Sequence, residues 1–160
     1  MSRLILEGKN IRFEELRCEE QELTFNTLCQ KLKECIQIEA FNQDTLKTLN
    51  LYNSTIGYNN AAGILADKNH FPGIDIVKFG ENISVIHKRA TFDHISILEV
   101  YEKTAEVFRD YYEYEEIQGT DRKRIEKIPE AAFREAIANA LIHRAWDVDS
   151  QIKVSMFDDR

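Results

Sequence analysis

The sequence predicts an α+β chain, in which helices surround a β-hairpin and a further helix and strand follow. Three observations carry that prediction. Apolar residues recur at helical spacing in Phe25, Leu28, Cys29, Leu32, Cys35 and Ile36, and again in Ile97, Leu98, Tyr101, Ala105 and Phe108. Between these stripes, Ile74, Ile76 and Phe79, then Ile83, Val85 and Ile86, flank Gly80-Glu81-Asn82, a hairpin turn signal. Near the end, an alanine-rich stretch from Pro129 to Trp146 precedes Ile152, Val154 and Met156, which alternate with Lys153 and Ser155 as in a half-buried strand.

Taken in order, Leu4-Ile5-Leu6 is a short apolar patch, a strand or the remnant of a preceding domain. A helix is expected from about Glu14 to Ile36, with Glu14, Glu15, Glu19, Glu20 and Glu22 favouring its positive N-terminal end. Asp44 is placed to cap a short helix running to about Leu51. Asn53-Ser54 and Gly57 with Asn59-Asn60 read as loop and helix start, and Ala61 to Ala66 as a close-packed helix. His70-Phe71-Pro72-Gly73 then turns the chain into the hairpin. Phe92 anchors the end of the second strand, and Asp93 or Ser96 caps a long helix to about Tyr112.

Tyr111, Tyr112 and Tyr114 resemble a base-stacking platform, but Glu113, Glu115 and Glu116 among them repel phosphate. Packing at a core edge is the expectation. Glu116-Ile117 and Ile125–Ile128 read as paired strands. Arg122-Lys123-Arg124 with Lys127 forms a basic cluster diluted by Asp121 and Glu126, and reads as a solvated loop or strand edge.

The chain has 160 residues, enough for one domain or parts of two. Its net charge of −7 argues against a broad nucleic-acid surface, since duplex affinity rests on cationic contacts to phosphate. ATP is not excluded, because Mg²⁺ and a few local donors can carry its phosphates. Cys18, Cys29 and Cys35 form no C-x-x-C pair and read as reduced thiols, with Cys29 and Cys35 expected to be buried. His70, His87, His94 and His143 lack metal-ligand spacing. No apolar run approaches the ~20 residues of a membrane span, and no signal-peptide pattern opens the chain. A cytoplasmic location and no membrane partner are expected.

One stretch points to a particular chemistry. At about 100° per residue, Glu135, Asn139 and His143 fall at roughly 0°, 40° and 80° and form one polar stripe. Phe133, Ile137, Ala140 and Leu141 lie opposite and should face a core. Small neighbours, Ala131, Ala132, Ala136 and Ala138, leave room for a ligand to approach. An amide oxygen suits Mg²⁺, and a carboxylate one turn earlier suits a water attacking a phosphate. The same spacing also fits a polar face looking at solvent. His143 fits either a nucleotide contact or a helix-end role.

The segment R-E-A-I-A-N-A-L-I-H-R-A-W, after I-P-E-A-A-F and before I-K-V-S-M-F-D-D-R, resembles the N-box of the GHKL ATPases. The variant it resembles occurs in bacterial transcriptional regulators related to the RecG helicase. Those proteins carry a Schlafen-type, Alba-like domain followed by a divergent GHKL domain. Residues 12–25, 49–69 and 74–80 are similar to that family's linking region, although Tyr58-Asn59-Asn60 stands where Tyr-Thr-Asn is usual. Ala145-Trp146-Asp147 likewise replaces the usual Asp-Tyr continuation.

The resemblance implies residues 1–128 as a helical and hairpin linking domain, and 129–160 as the opening helix and strand of a GHKL-like α/β sandwich. It implies Glu135 as general base, Asn139 as the Mg²⁺ ligand, and Asn139, His143 and Arg144 as the nucleotide-binding set. Mg-ATP is the implied cofactor of the parent protein, and DNA its partner through domains outside this chain. By that resemblance the chain is expected to be a fragment, with the Alba-like domain, the glycine-rich box and the lid outside residues 1–160, and to lack ATPase activity alone. The alternative is a non-catalytic dimerisation or interaction module of a DNA-associated regulator, acting as a homodimer.

Overall fold

The computed structural model describes residues 11–38, 40–118, 121–126 and 128–157, the side chains of 113–118 and 121–126 excepted. The fold is α+β, and the chain divides into two compact units. The first takes residues up to Phe71 with His94–Glu99 and Ala145–Asp149; the second takes Pro72–Asp93, Val100–Arg144 and the residues from Ser150.

In the first unit the expected long helix from Glu14 is shorter. A 3-10 turn, Phe13–Glu15, comes first, and helix α1 runs only from Asn26 to Ile36. Tertiary hydrogen bonds hold the intervening residues out of helix. Cys18 N–H donates to Tyr58 O at 2.9 Å, Asn60 N–H to Leu16 O at 2.8 Å, and the Gln21 amide to Tyr58 O at 3.0 Å. The start of α1 is set by the Asp67 carboxylate, which accepts the Asn26 and Thr27 N–H groups at 2.8 and 2.9 Å. Cys35 and Ile36 are exposed and Cys29 is half-buried, so the apolar stripe of α1 is not buried along its whole length.

Helix α2, Gln43–Thr48, is capped by Asn42 and not by Asp44. The Asn42 side chain accepts from the Asp44 and Thr45 N–H groups, and the Asn42 N–H donates to the Thr45 hydroxyl oxygen. The expected loop at Asn53 contains a small hairpin, β1 Tyr52–Asn53 and β2 Gly57–Tyr58. Gly57 has φ +78°, a value that favours glycine, and a Cβ there would meet the Gln21 side chain. Helix α3, Asn60–Leu65, follows under an Asn59 cap. Phe25, Leu28, Leu46, Leu51, Ala62 and Ala66 form one core cluster. Ile64, Phe71 and Trp146 form another.

The second unit is built on a three-stranded sheet. Strand β3, Ile74–Phe79, pairs antiparallel with β4, Ile86–Phe92, and parallel with β7, Ile152–Met156. Ile83 and Val85 lie in the connection and not in the second strand, where Ile83 is 72% exposed. Helix α4, Ile97–Tyr112, and helix α5, Glu130–His143, lie between β4 and β7 in sequence. The hairpin β5–β6, Glu113–Gln118 with Asp121–Glu126, joins them. Such a long crossover is what a parallel pair requires. The Arg122–Arg124 cluster lies on β6; its side chains and Lys127 are outside the described residues.

Alternation decides the two faces of this sheet. Ile74 and Ile76 are fully buried, and their register partners Ile152 and Val154 share their face. Tyr112 is buried beside Phe108, consistent with packing at a core edge, and its hydroxyl donates to Phe157 O. Ser96 donates its hydroxyl to Leu65 O, while Asp93 accepts Gly73 N–H at 2.7 Å. β7 pairs with β3, and the residues from 130 to 144 fall in the same compact unit as the hairpin. Among the described residues, no helix is long and apolar enough to cross a membrane.

Candidate functional site

Helix α5 begins after Pro129, which occupies the N-cap position. Ile137 and Leu141 are buried at 5% and 3% exposure, and Phe133 stacks on Phe108 with centroids 4.1 Å apart. Burying that face turns Glu135, Asn139 and His143 outward, and all three are exposed. The structure therefore brings the predicted stripe together on one accessible helix surface.

A second feature adjoins it. Ala132, Ala136 and Ala140 line an apolar cavity of about 470 Å³ in the second unit, together with Phe108, Val154 and Met156. Counting about 100° per residue from Glu135, these alanines sit at roughly 60°, 100° and 140°. Ala132 falls within the polar stripe, and Ala136 and Ala140 lie between it and the core face, so an apolar wall runs directly beside Asn139 and His143. A methyl side chain at each of these positions keeps the space open.

Arg144 behaves differently from its neighbour. It ends α5 in an extended conformation, and its guanidinium donates to Pro72 O and to Ser150 O, each at 2.6 Å. It braces backbone carbonyls of the second unit, while His143 stays exposed in the last turn. Trp146, at the end of the predicted stretch, is buried in the first unit against Phe71.

The donor set suits Mg²⁺ only as part of a complex. A single amide oxygen from Asn139 is a reasonable protein contribution, because Mg²⁺ keeps several waters and takes its remaining ligands from phosphates. Among the described residues, no three His, Cys, Asp or Glu side chains are grouped to hold a metal ion by themselves.

A polar cluster that the sequence reading did not single out lies on the other face of the sheet. Asp75, with its side chain 3% exposed, accepts from Arg89 Nε and Nη2 at 2.8 and 2.9 Å, Thr91 Oγ1 at 3.1 Å and Lys153 Nζ at 2.7 Å. Hydrogen bonds from Arg89 above all, and from Lys153 and Thr91, hold its carboxyl far below the usual range against the opposing effect of burial. The available signal was an aspartate between Ile74 and Ile76, with Lys88-Arg89 and Lys153 in other strand-forming segments.

No family model matches the chain, and no curated protein matches it. It is similar to the crystal structure of the DIP2311 protein from Corynebacterium diphtheriae, with a TM-score of 0.72 and 18% identity. That match covers 96% of this chain and 33% of the other, so the chain spans about a third of the length of that protein. At this identity the likeness shows the fold alone.

Proposed function

We propose that this chain supplies the linking region and the first nucleotide-contacting helix of a divergent GHKL-type, Mg²⁺-dependent ATP-binding domain in a bacterial transcriptional regulator. One observation carries the reading. Glu135 and Asn139 stand exposed one turn apart, beside an alanine-walled apolar cavity. A nucleotide needs an apolar wall for its base and a few placed polar groups for its phosphates.

In this reading the Asn139 amide oxygen ligates Mg²⁺ on the phosphates, and Glu135 positions or deprotonates the attacking water. His143, at the same exposed surface, is the remaining nucleotide contact. Arg144 holds the end of the helix through Pro72 and Ser150. DNA is engaged by other parts of the parent protein, which acts in the cytoplasm.

The test is turnover by the parent protein. Glu135→Gln should keep Mg·ATP binding and lower turnover by about a hundredfold or more, the ordinary contribution of a general base. Equal turnover in Glu135→Gln and wild type would remove the catalytic assignment.

A second reading, a non-catalytic interaction module, has one observation in its favour. Among the described residues β7 is paired on one side, with β3, and its inner residues line the cavity. An open strand edge beside apolar surface favours association. Self-association of the chain that Asn139 and ATP leave untouched would favour this module.

A further inference from the structure

The open face of the β4-β3-β7 sheet carries more positive charge than its buried carboxylate needs. Asp75 offers about four acceptor positions on its two oxygens. Arg89 fills two through Nε and Nη2, and Thr91 and Lys153 fill the others. Two cations thus share one buried anion, and Asp93 is joined to them through Gln151, whose amide donates to Asp93 and accepts from Lys153.

Both cations bind Asp75 through their charged groups, yet each side chain is largely exposed. The Arg89 and Lys153 side chains are 57% and 61% exposed, while Asp75 is 3% exposed. Asp75 uses the Nε–Nη2 edge of the guanidinium, so the Nη1–Nη2 edge remains as a two-pronged donor. The ammonium of Lys153 also meets Gln151 Oε1 at 3.0 Å, which fixes its direction further. Ser155, two residues along β7 and exposed on the same face, adds a hydroxyl.

We infer that Arg89, Lys153 and Ser155 form a phosphate-binding subsite, with Asp75 as the residue that positions both cations. A bidentate guanidinium edge with an adjacent point charge matches a tetrahedral oxyanion. Anchoring by Asp75 lowers the side-chain entropy that two long cations would otherwise lose on binding. The subsite side chains lie on the sheet face opposite the isoleucines that line the core; Lys153 and Ser155 belong to the strand that also lines the cavity beside α5, and inorganic phosphate without nucleotide or Mg²⁺ tests the subsite apart from the ATP reading.

Inorganic phosphate titrated into the full chain at constant ionic strength provides the test, followed by NMR of the Arg89 side-chain Nε–H and the Arg89, Lys153 and Ser155 amides. Saturable shifts confined to these groups are expected. Arg89→Lys keeps a cation for Asp75 but loses the second edge, and should weaken binding about tenfold, as expected for one lost charge-assisted hydrogen bond. Lys153→Met, which leaves the Arg89 fork intact, should also weaken binding and serves if Arg89→Lys does not fold. Shifts that grow linearly with phosphate, or that are equal in wild type and both folded variants, overturn the subsite.

Discussion

Lys153 on β7 reaches the Asp75 carboxylate on β3, with Nζ 2.7 Å from Oδ2, and so ties together residues 78 positions apart. The same carboxylate holds Arg89 and Thr91 on β4, so one side chain links all three strands of the sheet. Asp75→Ala should therefore destabilise the second unit by about 2 kcal/mol, the scale of hydrogen bonds to a charged group. Urea unfolding measures it; a loss below a few tenths of a kcal/mol would show that the network contributes nothing.

Acid should act through the same residue. The folded Asp75 pKa is depressed, chiefly by the hydrogen bonds from Arg89. Its stabilisation is thus fully present above the unfolded carboxylate value, about 3.9, and is lost as pH falls below that value toward the folded pKa. Wild type should lose stability more steeply than Asp75→Asn between about pH 5 and 2. Parallel pH profiles for the two proteins would contradict this linkage.

Gly73 tests the approach of β3 to β4. An added Cβ would sit 2.0 Å from Phe92 O, and that oxygen is backbone that cannot swing away. Gly73 also donates its N–H to Asp93 and accepts from Ile152 N–H at 2.9 Å. Gly73→Ala should lower the melting temperature by several degrees, from a cost of about 1–3 kcal/mol. An unchanged melting temperature would mean the strand ends separate freely.

Adjacent residues at the end of α5 should separate brace from site. Arg144→Ala removes donors to Pro72 O and Ser150 O and should cost about 1–2 kcal/mol. Glu135→Ala, Asn139→Ala and His143→Ala, all on the exposed stripe, should each stay within about 0.5 kcal/mol of wild type. Thermal or urea unfolding of the four variants decides it. If the stripe variants lose as much as Arg144→Ala, the stripe is structural.

Much of this architecture is legible in the residues. The stripe from Ile97 to Phe108, the alternation from Ile152 to Met156 and the outward face of α5 follow from periodicity, because each element buries one side. The residues from Leu16 to Phe25 mislead because local acidic composition favours helix, whereas their hydrogen bonds run to Tyr58 and Asn60, far along the chain. Asp67 as the acceptor at the start of α1 is invisible for the same reason, lying 41 residues from Asn26. The Asp75 cluster required the β3–β7 register, which no local pattern announces. Arg144 looked like a ligand contact by position in the His-Arg pair; its carbonyl partners arise from the turn that follows α5.

The most direct measurement is Mg·ATP binding to the parent protein, with and without Mg²⁺, compared with its Asn139→Ala variant. A nucleotide site on α5 predicts saturable binding that needs Mg²⁺ and weakens about tenfold or more in the variant. Tight binding that ignores both Mg²⁺ and Asn139, or no binding by the folded parent, would contradict it and leave the interaction module as the better reading.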